Sequence, residues 1–273
     1  MKKKRTLFQS IKKDILKGFS RIKWLTITNF NYYIRKIFFK RQISYQTISL
    51  LIPSKQRVQK LNRLIESLKT NTNNLSRLHI LILIDENEKD KQEYLDYVEK
   101  LNKSLNIMLF IKDEATHNKR NNYLASKIES DLYFPMNDDV VFIMKNWDLY
   151  IDEISSFIPK NKPYSIWNKT DRKYPYLHSD FPIVNNLWYK KLGYIGNLHL
   201  FGYIDTWICE LGKLTKMFIV SKKKFIDHLN VENSEYSAEK DKTYHDLMVY
   251  QSNDYNNWVE TKKIRIEDAK KLL

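Results

Sequence analysis

The sequence predicts an α/β protein in which a mostly parallel sheet is flanked by helices. From residue 47 onward, short apolar runs alternate with segments of helical periodicity, a pattern typical of parallel sheets covered by helices. The apolar runs also end in polar residues, among them Ser54, Asp85 and Asn137. Because ligands of open parallel sheets bind beyond the carboxyl ends of the strands, we expect these polar residues to share one site.

The elements can be placed in order along the chain. The predicted strands cover residues 47–52, 78–84, 106–111 and 131–135, and the predicted helices cover 55–68, 89–101 and 120–128. Beyond residue 160 the periodicity weakens. Four of the five glycines then cluster at positions 193, 196, 202 and 212, which indicates unusual backbone dihedrals, close approach to a ligand, or merely a tight loop.

The composition fits one globular domain. The 273 residues are 42% hydrophobic and 14% aromatic, enough to bury a substantial core. Cys209 is the only cysteine, so an internal disulfide and a cysteine zinc site are excluded, and a cytoplasmic protein is expected. No apolar run reaches the roughly 18 residues that a spanning helix needs, which limits membrane association to the surface.

The net charge of +15 is concentrated in an N-terminal arm, residues 1–45. The arm contains 13 Lys and Arg against one acid, Asp14, and so carries +12, which leaves only +3 for the rest. Its apolar residues recur at helical spacing and predict a basic amphipathic helix. This helix either anchors the protein on an anionic membrane or packs on the body. Because the body is nearly neutral, no specific nucleic-acid binding is expected.

Two adjacent carboxylates, Asp138 and Asp139, follow the fourth predicted strand. Carboxylate oxygens at a strand end suit Mg²⁺ or Mn²⁺, which commonly bridge to substrate phosphates. A solvated turn is the alternative, since Asn-Asp-Asp is ordinary turn chemistry.

Four segments together resemble family 2 glycosyltransferases of the GT-A fold. They are the strand and turn from Ile48 to Arg57, Asp85 after its strand, the stretch Asn118 to Asn121, and the segment from Phe134 to Val141. The resemblance implies a GT-A domain with a nucleotide-sugar-binding half at 46–145 and an acceptor-binding half at 146–273. The sequence departs from the family pattern at Lys55, where an Arg is common, and at Asn137, which replaces the first acid of the usual Asp-x-Asp.

The resemblance also implies individual roles. Eight residues would bind the donor, a UDP- or GDP-sugar: Pro53, Ser54, Lys55, Arg57, Asp85, Arg120, Asn121 and Asp138. The divalent cation, Mn²⁺ or Mg²⁺, would be held by Asp139 and Asp138, with His228 completing the shell, a role for which His245 competes.

Asp205 resembles the acceptor-side acid of the family. An inverting transfer needs a carboxylate to accept the proton of the attacking hydroxyl, which makes Asp205 the candidate base and Glu210 the reserve. The alternative for Asp205 is an N-cap of a helix at 206–211. Trp188 and Trp207 are weak candidates for stacking on a sugar of the acceptor, a glycan or a lipid-linked saccharide, with burial in the core as the alternative.

The sequence therefore predicts a metal-dependent glycosyltransferase. The Gln-x-x-Arg-Trp signature of processive synthases does not occur, which favours a single transfer. A sugar-nucleotide nucleotidyltransferase is a rival, although residues 53–60 contain none of the glycines that its phosphate loop uses. Two further rivals are a basic nucleic-acid or membrane-binding protein and a GT-A relative that binds sugar nucleotides without catalysis.

Overall fold

The computed structural model describes residues 45–169, 179–198, 200, 202–229 and 255–273. All of them belong to one compact unit, Gln42–Leu273. The amphipathic arm predicted over residues 1–45, apart from Tyr45, and the candidate ligand His245 lie outside the described residues. Within the described ranges, no helix combines the length and the apolar character that crossing a bilayer requires.

The central feature is a seven-stranded mixed sheet with the order β3-β2-β1-β4-β7-β6-β8. Its strands are β1 (Ile48–Pro53), β2 (Leu78–Ile84), β3 (Ile107–Ile111), β4 (Leu132–Pro135), β6 (Ser165–Trp167), β7 (Ile183–Asn185) and β8 (Phe218–Val220). The strands β1 to β4 are parallel, β7 runs antiparallel to β4 and β6, and β8 is parallel to β6. Every residue of β1 is buried, as expected for a central strand covered on both faces.

Helices cover this sheet and connect its strands. They are α1 (Val58–Asn71), α2 (Lys91–Asn102), α3 (His117–Ala125), α4 (Trp147–Ser155), α5 (Asn186–Leu192), α6 (Ile204–Thr215) and α7 (Lys262–Leu272). The fold class predicted from the sequence, a mostly parallel α/β sheet flanked by helices, is confirmed.

Local chemistry explains where the predicted helix boundaries were wrong. The first helix was predicted from residue 55 but begins at Val58, because Gln56 adopts a left-handed conformation with φ of 53° that an α-helix does not accommodate. The third was predicted from residue 120 but begins at His117, where the Thr116 side chain accepts a hydrogen bond from Lys119 N at 3.1 Å and caps the helix.

A second, two-stranded sheet lies beside the end of β4. It pairs β5 (Val140–Phe142) with β9 (Ile226–His228) in antiparallel register, so that Val140 faces His228. Leu229 N extends the ladder by donating to Asp139 O at 3.0 Å. This register places His228 next to the acidic pair Asp138 and Asp139, although His228 is distant from the pair in sequence.

Three of the four clustered glycines have an explanation in the backbone conformation or in the packing of the chain. Gly193 ends α5 with φ of 79°, a conformation that favours glycine. A Cβ on Gly196 would lie 2.7 Å from Ile204 Cγ1 and 3.3 Å from Asn118 Cγ. One on Gly212 would lie 3.1 Å from Ser165 Oγ. The left-handed backbone thus explains Gly193, close packing of the chain on itself explains Gly196 and Gly212, and the suggested close approach to a ligand is not needed for these three.

Candidate functional site

The turn after β1 is fixed by a chain of buried hydrogen bonds. Arg57 N donates to Tyr94 Oη at 3.1 Å, Tyr94 Oη lies 2.6 Å from Ser54 Oγ, and Ser54 Oγ donates to Asp138 Oδ2 at 2.7 Å. Because the single hydroxyl hydrogen of Ser54 is used on Asp138, the Tyr94 hydroxyl must donate to Ser54. This series of hydrogen bonds connects the turn at the end of β1 to the acidic pair at the end of β4.

Asp138 and Asp139 are both buried, and Arg57 lies between them. Arg57 Nη1 is 3.1 Å from Asp138 Oδ1 and 3.8 Å from Asp139 Oδ2. Burial and the neighbouring charge of Asp139 raise the pKa of Asp138 to about 6, although Arg57 and Ser54 oppose this. Burial would also raise the pKa of Asp139, but the neighbouring His228 and the charge of Arg57 hold it below its usual value.

His228 reaches the acidic pair through the β5–β9 register. Its Nε2 lies 3.3 Å from Asp139 Oδ1, and the ring of Phe181 packs edge-on to the imidazole with centroids 4.9 Å apart. Phe181 itself has φ of 53°, a conformation costly for a bulky residue and found most often at functional sites. The structure thus brings together three of the predicted metal-ligand residues, Asp138, Asp139 and His228.

The donor set is chemically suited to a divalent cation but does not form a complete cage. Carboxylates and imidazole are acceptable ligands for Mn²⁺ and, for the oxygens, Mg²⁺. In the described part of the chain, no group of three or more His, Cys, Asp or Glu side chains is arranged to hold a metal ion by itself. A cation bound here would have to complete its shell with substrate or water oxygens, as Mg²⁺ commonly does.

A second cluster of opposite charges follows β2. Asp85 is buried and forms ion pairs with Arg120 and with Lys55, whose Nζ lies 3.4 Å from Asp85 Oδ2. Arg120 Nε also donates to Glu114 O at 3.1 Å. The Lys55 side chain is half-exposed at 50%, so its ammonium group is accessible from solvent.

Two residues predicted to bind the donor lie inside the protein. Asn121 is completely buried on α3, where its Nδ2 donates to His117 O at 3.0 Å. Pro53 is the buried last residue of β1. Their contact with a donor stays a prediction.

Asp205 lies in the first turn of α6. It is the second residue of the helix rather than its N-cap, a position held by Tyr203 with φ of 57°, so the N-cap interpretation is wrong. Asp205 Oδ1 accepts a hydrogen bond from Thr206 N at 2.6 Å. Burial and Arg120 lower the pKa of His117 to about 4, whereas the charges of Asp205 and Asp139 oppose this shift. Both carboxylates therefore lie close enough to act on one imidazole.

Glu210, the reserve candidate base, faces another direction. Five residues separate it from Asp205, which corresponds to about 140° around a helix. Its charge acts instead on Arg265 of α7, where it opposes the lowering of the pKa by burial.

The aromatic candidates for acceptor stacking are part of the core. Trp188 and Trp207 have no solvent-exposed surface and pack in the main apolar cluster. Trp207 also meets the ring of Trp258 edge-on at 6.2 Å between centroids. A ring without an exposed face cannot stack on a sugar, so the acceptor assignment of both tryptophans is wrong and the core interpretation holds.

Three residues of the site were missed by sequence reasoning. Tyr94 lies on the inward face of α2 with Val98 and Leu101, where its apolar neighbours conceal a polar function. Buried Glu88 accepts a hydrogen bond from Gln56 N at 3.2 Å and supports the left-handed turn. His117 begins α3, three residues before Arg120. That spacing places the two side chains on one face of the helix and could have been recognised in the sequence.

No protein-family model matches the sequence, and no curated protein is significantly similar to it. Solved structures do resemble the fold. S. aureus TarS 1–349 in complex with UDP superposes with a TM-score of 0.52 at 15% identity over 66% of this chain and 59% of that chain. The complex of the same TarS fragment with UDP-GlcNAc gives a TM-score of 0.54 over 74% of this chain and 64% of that one, also at 15% identity. The chain thus spans less than two thirds of the TarS fragment.

A second similar structure covers more of the chain. It is the mannosyltransferase PcManGT from Pyrobaculum calidifontis in complex with GDP-Man and Mn²⁺, with a TM-score of 0.58 at 8% identity over 92% of this chain and 80% of that one. At these identities the likeness shows the fold alone. The chain therefore has a GT-A-like glycosyltransferase fold, as the resemblance implied.

Proposed function

We propose that this protein transfers a sugar from a nucleotide-sugar donor to an acceptor hydroxyl, one residue at a time and with inversion. The observation that carries the proposal is the arrangement of charged side chains at the carboxyl ends of the parallel strands. A buried acidic pair, Asp138 and Asp139, lies beside cationic side chains, and Asp205 acts on the same imidazole as Asp139. This arrangement offers a place for a diphosphate and a separate carboxylate for the acceptor.

The donor would lie along the carboxyl ends of β1, β2 and β4, the usual ligand position in such sheets. Lys55, Arg57 and Arg120 carry the positive charge that a diphosphate requires. Asp85 holds two of these cations in place and is the candidate contact for the nucleotide base. The solved complexes with UDP, UDP-GlcNAc and GDP-Man support a nucleotide-sugar donor for this fold.

Asp139 and His228 would hold the divalent cation, with Asp138 next to Asp139. Bound there, Mn²⁺ or Mg²⁺ supplies the Lewis acidity that stabilises a diphosphate leaving group. The complex of PcManGT with GDP-Man and Mn²⁺ supports this choice. Within the chain itself, the neighbouring His228 and Arg57 lower the pKa of Asp139 against the effect of its burial, and an ionised carboxylate is the form that binds a cation.

Asp205 would accept the proton of the acceptor hydroxyl as that oxygen attacks the anomeric carbon. The acceptor, proposed to be a glycan or a lipid-linked saccharide, would approach from the half of the domain formed by α6. Residues 1–45 are proposed as an anchor on an anionic membrane, which would hold a cytoplasmic enzyme near such an acceptor.

A ligand screen tests the proposal. The thermal unfolding of the full chain is measured with UDP-, GDP-, CMP- and dTDP-sugars, each with and without Mn²⁺, because a ligand that binds only the native state raises the unfolding temperature. A rise that needs both a sugar nucleotide and Mn²⁺ is expected. The donor that stabilises is then assayed for release of free nucleotide diphosphate. If all four classes leave the transition unchanged, the proposed function is wrong.

A further inference from the structure

The first turn of α6, which carries Asp205, begins from an unusual backbone conformation. Tyr203 precedes the helix as its N-cap residue, with φ of 57° and ψ of 21°. A left-handed conformation is costly for a bulky residue and persists where surrounding contacts maintain it. The direction in which α6 starts, and with it the direction of Asp205 two residues later, therefore depends on the contacts that hold Tyr203.

Trp258 contacts this turn from the C-terminal part of the chain. It lies in a short helical segment, residues 255–260, that precedes α7. The rings of Tyr203 and Trp258 are stacked, with centroids 5.9 Å apart and an interplanar angle of 24°. Trp207, whose amide donates to Tyr203 O at 2.8 Å, meets the same indole edge-on at 6.2 Å between centroids. One side chain thus packs against both the N-cap residue and the first turn of α6.

The indole of Trp258 is itself held by α7. The Arg265 guanidinium lies 3.7 Å from the centroid of the Trp258 ring, and Arg265 Nη1 donates to Trp258 O at 2.5 Å and to Thr261 Oγ1 at 3.0 Å. Arg265 is buried, and on the same helix buried Asp268 accepts a hydrogen bond from Tyr194. Stacking on a cation and a hydrogen-bonded carbonyl restrict the movement of the indole, which makes it a rigid support.

Trp258 and Asp205 lie on different sides of α6. Asp205 and Trp207 are two residues apart, which corresponds to about 200° around an α-helix. Since Trp207 is on the side that meets Trp258, Asp205 is on the side away from the indole, and its charge acts on the His117 imidazole of α3. An influence of Trp258 on Asp205 would therefore pass through the backbone of α6.

We propose that Trp258 is a positioning residue, which through Tyr203 fixes the first turn of α6 and so holds Asp205 in the direction that proton transfer from the acceptor requires. The inference rests on the proposed function, in which Asp205 is the base. Catalysis by a general base depends on its orientation, and a displacement of about 1 Å can lower a rate by about 10²-fold. The stack of Tyr203, Trp258 and Arg265 thus gives the C-terminal helices a part in the chemical step.

Steady-state kinetics on the full chain test the positioning. The donor is the sugar nucleotide that stabilises the protein in the thermal screen, the acceptors are a panel of methyl glycosides, and release of free nucleotide is measured. Trp258→Ala should lower kcat about 10- to 100-fold and leave KM for the donor unchanged. Trp258→Phe keeps a flat ring for the stack and should remain within about threefold of wild type. Tyr255→Ala is the matched control, because it removes a ring that is exposed by 63% from the same helical segment, and kcat should not change.

A double-mutant comparison separates positioning from general support of the fold. If Trp258 acts through Asp205, adding Trp258→Ala to Asp205→Asn should change kcat by less than about twofold, since the base is already absent. Tyr203→Leu keeps the Cβ and removes the ring, so it should lower kcat as Trp258→Ala does, and it tests the same stack if Trp258→Ala does not fold. A further loss in the double variant as large as in Trp258→Ala alone, or a parallel loss of donor affinity, would overturn the proposal.

Amide hydrogen exchange without donor or metal tests the contact independently of the reaction. Trp258→Ala and Tyr203→Leu should each raise the exchange rate of the Trp207 amide, which donates to Tyr203 O, about tenfold, because the first turn then opens more often. The amides of α3 should exchange at the wild-type rate. Unchanged exchange at Trp207 would overturn the proposal whether or not sugar is transferred. Faster exchange in a chain that releases no nucleotide from any donor would instead refute the proposed function.

Discussion

Replacing Asp205 with asparagine tests the chemical step. Asparagine keeps the oxygen that accepts the hydrogen bond from Thr206 N, at 2.6 Å in the wild-type chain, but it cannot accept a proton from an attacking hydroxyl. Under the proposed function the charge of Asp205 is needed only in the transition state, so donor binding should be unaffected. The rate of transfer should fall by about 10²-fold or more, the scale of a positioned general base.

The cost to stability should be small by comparison. Asp205 lies in the first turn of α6, where a negative charge stabilises the helix by about 0.3 to 1 kcal/mol through the helix dipole. Urea denaturation of wild type and variant measures this difference. A loss in that range cannot unfold the protein, so a large loss of transfer would report on chemistry and not on folding.

The assay compares initial transfer rates at saturating donor with the affinity for the same donor. Glu210→Gln is the matched control, because it makes the same carboxylate-to-amide change on the same helix beside Arg265. We expect it to change transfer less than about threefold. If Asp205→Asn transfers at the wild-type rate while Glu210→Gln does not, the base is Glu210 and the reasoning about Asp205 is refuted.

Three further changes address the rest of the site. Arg57→Ala should destabilise the fold by about 3 kcal/mol in urea denaturation, since it leaves two buried carboxylates without their shared cation, whereas exposed Lys55→Ala should cost less than about 0.5 kcal/mol. His228→Ala should weaken Mn²⁺-dependent donor binding about tenfold in calorimetric titration, and an unchanged affinity would remove His228 from the metal site. For His117, whose folded pKa of about 4 lies below its unfolded value of 6.5, stability should be full above pH 6.5. It should fall as the pH drops towards 4, by about 2 kcal/mol more in wild type than in His117→Asn, and equal pH dependence would contradict this.

The half of the fold at residues 46–145 was predictable because its signals are local. Its strands consist mainly of apolar residues with polar residues close after them, and β2 was predicted with its observed bounds, Leu78–Ile84. The parallel arrangement then follows from the alternation with helices. The convergence of the turn at Ser54 with the acidic pair follows in the same way, since β1 and β4 are neighbours in the sheet.

The other half was not predictable in this way. The strands β6, β7 and β8 have three residues each, too few for a periodicity to be recognised. Whether a tryptophan lies in the core or on a surface depends on contacts that are distant in sequence, which is why Trp188 and Trp207 were assigned wrongly. The position of His228 against Asp139 depends on the pairing of β5 with β9, and no property of either segment alone encodes that register.

Under the proposed function, Arg57 serves both the fold and the site. Two adjacent buried carboxylates repel each other and lose hydration, so they persist only with compensating charge. Here the compensation comes from Arg57, which touches both, and from His228 on the other side of Asp139. A divalent cation entering this site would bring the same kind of compensation and would compete with Arg57 for the carboxylate oxygens. The guanidinium would then be available for a diphosphate. Arg57 would thus pair with the carboxylates when no cation is bound and contact the donor when a cation is bound.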